Sequence, residues 1–192
     1  MPATHYAITE ICVVLAAVYA AYKLFPQSYR LAAFGAVVMG AVAALGSWRF
    51  ASGQFEALEA VHLNAAMQGG LVSMMFIGAD IILKAPAHKY KRAALISLML
   101  VSLLVSSYAL KAVPLLSLIW LLLATMSVAI YAQSPRFKAV CAMSLMLVGL
   151  LLVRKSPYLD PAVSFHLYHL IIAAWLCFLP FCLAAIRRKT PA

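Results

Sequence analysis

Acidic residues are nearly missing from this chain, which has five Asp and Glu in 192 residues against fifteen Lys and Arg. Charged positions of all kinds make up only 10%. A soluble globular domain carries about 25%, so a chain this poor in charge and 66% hydrophobic is not one. Paired cysteines are also lacking. Cys12, Cys141, Cys177 and Cys182 fall singly inside apolar stretches, make no CxxC, and read as small residues of the core. The N-terminal stretch Met1 to Glu10 has no Lys or Arg ahead of the first apolar run, so that run does not read as a cleaved signal peptide and is expected to stay as a span. The last apolar segment has no lysine before Arg187, which leaves a retinal Schiff base without its amine. Basic residues are spread over segment ends without interleaved aromatics, so nucleic acid is not an expected partner and the lipid bilayer is.

What the chain does have is long apolar runs. Windows of about 19 residues give seven, at approximately 8–24, 30–50, 57–83, 93–110, 113–132, 137–153 and 162–186. Turn chemistry separates them: Phe25-Pro26-Gln27, Ala85-Pro86-Ala87, Ser134-Pro135-Arg136 and Ser156-Pro157-Tyr158 each stop one helix and restart the next. The expected fold is all-α, a single polytopic bundle of seven transmembrane helices over residues 1–192. With the N-terminus out, one side collects Lys23, Arg30, Lys84, Lys89, Lys91, Arg92, Arg136, Lys138, Arg187, Arg188 and Lys189. The other side holds only Arg49, Lys111, Arg154 and Lys155. That bias places the C-terminus in the cytoplasm, as in a bacterial inner membrane protein, and it requires an odd number of spans.

Against this topology the rare polar groups gather at the N-terminal end of the bundle. Glu10, Ser47, Arg49, Glu56, Glu59, His62, Ser106, Ser107, Tyr108, Asp160, His166 and His169 all fall there. The run from Asp160 to His169 puts two imidazoles three residues apart on one face of the last helix, and ionisable groups at membrane depth are costly to keep. On helix 3, His62, Ala66, Gly69, Ser73 and Asp80 form a stripe of small and polar residues, with Gly69 and Gly70 expected at a close helix contact. If this stripe faces the one that His166, His169, Ala173, Cys177 and Pro180 make on the last helix, Glu59-x-x-His62 and His166-x-x-His169 bring three imidazoles and a carboxylate together. Helical bundles build metal sites in this way. Three nitrogen ligands, His62, His166 and His169, suit zinc, with Glu59 completing the shell or acting as general base. Plainer roles stand beside these: Asp160 as the N-cap before Pro161, Asp80 paired with Lys84, Glu56 and Glu59 favouring a helix start, Pro180 as a kink, and the histidines bonded to water or backbone at the interface.

The run from Ser164 to His169, Ser-Phe-His-Leu-Tyr-His, resembles the last-helix motif of the seven-helix superfamily that joins adiponectin and progestin receptors to alkaline ceramidases. His169 takes the place of the second zinc histidine there; Phe165 stands where the first would be, and His166 follows it. Ser47 matches the serine on helix 2, four residues before a zinc histidine whose place is taken by Ala51. The family's helix 3 aspartate has Glu59 or His62 as its nearest counterpart. The resemblance implies a zinc-dependent hydrolase of a lipid amide or ester, with Ser47 bonded to the oxyanion or the water. Two other expectations come from different classes. One is a seven-helix transporter of small molecules or lipids, although helices 1–3 and 5–7 show no sequence repeat. The other is a haem held between His62 and a helix 7 histidine.

Overall fold

The computed structural model describes residues 4–85, 91–133 and 135–186. Among them seven helices are long and apolar enough to cross a membrane, and there is no strand. They are α1 (Tyr6–Leu24), α2 (Arg30–Ala51), α3 (Glu59–Lys84), α4 (Lys91–Tyr108), α5 (Val113–Tyr131), α6 (Arg136–Val148) and α7 (Pro161–Ala184). A 3₁₀ turn (Leu110–Ala112) leads into α5, and a π-helical turn (Gly149–Val153) extends α6. Nineteen residues at 1.5 Å each, as in α1, span about 28 Å, which matches the hydrocarbon thickness of a bilayer. Helices satisfy their own backbone hydrogen bonds, as lipid requires, and only Pro180 inside α7 removes one donor from a described helix interior. Large side chains such as Leu15, Tyr22, Leu104 and Leu152 point away from the bundle, an apolar surface that lipid covers and water would not. The protein is an integral membrane protein by these criteria.

Helix ends follow the turn signals to within two residues of the expected boundaries. Asp160 caps α7, its Oδ1 accepting from the Ala162 and Val163 amides at 2.8 and 3.4 Å, with Pro161 in the first helical position. Of the cysteines expected in the core, Cys182 is buried and Cys12 half-buried. Cys141 and Cys177 are exposed, because they fall on the outward faces of α6 and α7, where an apolar thiol is equally at home in lipid.

Six helices close a ring: α1 packs on α2 and α7, α2 on α3, α3 on α5, α5 on α6, and α6 on α7. The fourth helix leans on the outside of α3 and α5 and buries only Leu95, Ser102 and Ser106. The expected meeting of helix 3 with helix 7 does not occur as an extended contact, because α1 packs against both α2 and α7 and its side chains fill the space between. The half of the ring away from the N-terminus is a dry core. Trp120 is fully buried against Gly78, where an added Cβ would sit 3.1 Å from the ring, and its indole N–H donates to Ser102 Oγ at 3.0 Å. At that end Asp80 Oδ2 accepts from the Ala32 amide at 3.0 Å, so a carboxylate of α3 caps the first turn of α2. Tyr29 donates its hydroxyl to the Leu183 carbonyl at 2.7 Å and ties α7 to the same corner.

Candidate functional site

Around the N-terminal end the ring is built differently. Glu10 lies one turn into α1, in a helix otherwise almost free of charge, and is only 2% exposed. Its Oε1 faces two imidazoles: His169 Nε2 on α7 at 3.4 Å and His62 Nε2 on α3 at 3.7 Å. Neither distance is a hydrogen bond of ordinary length, and Oε1 is buried without a hydrogen-bond partner. Gly46 on α2 forms the back wall. A Cβ there would collide with the Glu10 carboxylate and lie 2.7 Å from His62 Nε2, so only glycine leaves room for the three groups to meet.

The outer nitrogens of the two rings are held separately. His169 Nδ1 donates to the Phe165 carbonyl at 2.8 Å, one turn back on α7. In the neutral ring that bond leaves the Nε2 lone pair directed at Glu10. A lone pair against a buried carboxylate oxygen is repulsive, and the contact is favourable only with a cation or a proton shared between them. His62 Nδ1 has Arg49 Nη1 3.5 Å away. Arg49 is itself fixed, with its Nε donating to the Phe55 carbonyl at 2.8 Å and its Nη2 3.5 Å from Glu59 Oε2. Phe165 stacks on His169 with centroids 4.0 Å apart, Phe50 lies edge-on to His62 at 6.1 Å, and Tyr6 contacts both phenylalanines. These rings roof the centre at the N-terminal end of the bundle.

The residues expected to carry chemistry are thus divided. His62 and His169 meet at Glu10, a residue the sequence placed on the correct side but did not assign to the site. His166 points elsewhere: its Nδ1 lies 3.1 Å from Thr9 Oγ1 and its ring 5.0 Å from that of His5. The Glu59 side chain is 64% exposed and occupied by Arg49. Ser47 is half-buried beside Gly46 in the chain, one step round α2 from the wall of the centre. Glu10, Gly46 and Arg49 had visible signals, namely an acid inside an apolar run, a glycine one turn from a helix end, and an arginine against the charge bias.

A tetrahedral ion with ligand bonds of about 2.0–2.1 Å has ligand atoms about 3.3–3.4 Å apart. The Glu10–His169 separation matches that edge, and the Glu10–His62 separation exceeds it by a few tenths of an ångström. Among the described residues no three His, Cys, Asp or Glu side chains form a group that could hold a metal ion as they stand. No protein-family model, curated protein or solved structure matches this chain.

Proposed function

We propose that the protein is a membrane-embedded, zinc-dependent hydrolase of a lipid amide or ester, with His62, His169 and Glu10 as the residues that hold the metal. The observation that carries this reading is the buried, unpartnered Glu10 Oε1 set between two imidazole nitrogens over a glycine. Zinc bound there would act as a Lewis acid and bring the pKa of a bound water to about 7. The chain's own groups supply the rest. Phe165 holds His169 in the tautomer that presents Nε2, Gly46 keeps the floor clear, and the aromatic roof excludes bulk water. His166, whose Nδ1 lies within hydrogen-bond distance of the Thr9 hydroxyl, is placed to exchange a proton with the aqueous side. Ser47 and Glu59 receive no step in this reading; Glu59 holds Arg49 behind His62. The resemblance of residues 164–169 to the seven-helix receptor and ceramidase superfamily supports the same chemistry. It departs from that pattern in taking a carboxylate from helix 1.

The test is metal content. Elemental analysis of purified protein should find one zinc per chain, lost in His169→Ala and in Glu10→Gln, together with turnover of a fluorogenic long-chain amide or ester. No stoichiometric metal in the wild-type protein overturns the reading and leaves a proton-carrying centre, as in a transporter. Haem fits less well, since both Nε2 atoms face the one Glu10 oxygen, at 3.4 and 3.7 Å, with no width for a macrocycle between them. The orientation, N-terminus out and C-terminus cytoplasmic as in a bacterial inner membrane, is part of the proposal. A C-terminal tag protected from protease in inside-out vesicles would refute it.

A further inference from the structure

The N-terminal end of the bundle is the poor side for cations, so each one there calls for a reason. Arg49 has one, in Glu59, Phe55 and His62. Arg154 has a different setting. Its guanidinium carbon sits 5.7 Å from the centroid of the Tyr168 ring, and that ring is 5.5 Å from the ring of His169. One tyrosine therefore separates an exposed arginine from the Glu10 centre. Among the described residues no acidic side chain pairs with Arg154. Asp160, the acid nearest in sequence, is committed to capping α7, Glu59 is committed to Arg49, and Glu10 faces the two histidines.

The backbone that delivers Arg154 is also unusual. The π-helical turn Gly149–Val153 ends immediately before it, and the Arg154 amide donates to the Gly149 carbonyl at 2.9 Å. Such turns are uncommon inside helices and concentrate at functional positions. A Cβ on Gly149 would lie 2.8 Å from Ile171 and 3.5 Å from Tyr168, so the glycine lets α7 approach and sets Tyr168 under the guanidinium. Ser164 reinforces the junction by donating to the Val153 carbonyl at 2.5 Å. An arginine held over a ring by a cation–π contact keeps its planar fork available for a two-point bond to an oxyanion.

We infer that Arg154 is the headgroup anchor of the substrate site, and that the substrate is a long-chain lipid bearing a phosphate or carboxylate close to the bond that is cut. The inference deepens the hydrolase reading and rests on it for the word substrate, although the binding itself can be measured without turnover. The full chain in neutral detergent is titrated with hexadecyl phosphate, palmitate, hexadecanol and inorganic phosphate, and the rise in thermal midpoint is read as an apparent affinity. The expected result is that at least one anionic amphiphile binds tenfold or more tightly than hexadecanol, and that inorganic phosphate binds at least tenfold more weakly than the anionic amphiphile. Arg154→Gln should bring the anionic ligand to the level of hexadecanol, and Arg154→Lys should recover part of the difference. The unliganded midpoint and zinc content of both variants should equal those of the wild type. Equal binding of hexadecanol and the anionic lipids, or undiminished binding in Arg154→Gln, overturns the proposal, as does inorganic phosphate binding as tightly as hexadecyl phosphate. His169→Ala separates the two ideas: it should lose zinc while retaining Arg154-dependent binding. Failure of the metal reading alone would leave that binding in place.

Discussion

Two carboxylates are buried in this bundle, at opposite ends, and they are treated in opposite ways. Asp80, 4% exposed, accepts a hydrogen bond from the first turn of α2 and is part of the architecture. Glu10, 2% exposed, presents an oxygen with no hydrogen-bond donor to two imidazole nitrogens. Burial of a charge inside a membrane therefore does not by itself mark function. What marks it is whether the protein has already satisfied the group. A satisfied carboxylate is a structural part, whereas an unsatisfied one held over a glycine is waiting for a cation or a proton.

Swapping each acid for a neutral residue is the strongest way to break this comparison. Glu10→Gln should lower zinc affinity by at least about 100-fold, beyond the 10- to 100-fold typical of losing a supporting partner of a ligand. Without metal its stability should match or exceed that of the wild type, since the amide can donate to a histidine Nε2 where the carboxylate oxygen has no hydrogen-bond partner. Asp80→Ala should do the reverse, costing about 2 kcal/mol through the uncapped α2 while leaving zinc content intact. Metal analysis beside thermal unfolding in one detergent checks both. If the Glu10 variant lost stability and no metal were involved, the two carboxylates would belong to one class and the proposed centre would fall.

Gly46 sharpens the same contrast from the backbone side. Gly46→Ala puts a methyl group against the Glu10 carboxylate and His62 Nε2, and overpacking of this kind costs about 1–3 kcal/mol. Its more telling effect should be loss of zinc with Glu10, His62 and His169 all still in place. A fully metallated Gly46→Ala protein would mean that the three groups can separate freely, and that their meeting over this glycine is not what holds the ion.

The helical pattern was legible because apolar runs, prolines and caps act locally. The Phe25 and Ser156 turns and the Asp160 cap needed no knowledge of neighbours, while Pro86, Ala87 and Ser134 of the other two turns lie outside the described residues. The side of the bundle that carries polar groups was legible for the same reason, since alternating helices fix which end each residue reaches. The partners were not. His62 and His169 were expected to face each other directly, but packing order is a property of the whole ring, and α1 lies between their helices. Glu10 then falls where Glu59 was expected. The Glu59 side chain follows the exposed start of α3 toward Arg49, whereas Glu10 lies on the buried face of α1. His166 shows the limit of spacing arguments: three residues from His169, it still turns to Thr9 and His5, because a separation of three leaves a 60° difference in heading round the helix.

The smallest effects should come from the adjacent pair Gly69 and Gly70, which spacing alone treats alike. Both were expected at a close helix contact, and only Gly69 is. A Cβ on Gly69 would collide with Val42 Cγ2 on α2, whose branched side chain has little freedom to move aside. One added to Gly70 would meet nothing within 4 Å. Gly69→Ala should therefore lower stability by about 1 kcal/mol. Gly70→Ala should raise it by up to about 1 kcal/mol, because alanine costs a helix less conformational entropy than glycine and here encounters no obstacle. The opposite signs distinguish a helix face pressed against its neighbour from one turned into open space, and thermal unfolding of the two variants side by side measures the difference directly. Equal destabilisation would place Gly70 in a packed contact after all and fill the space beside the N-terminal half of α3.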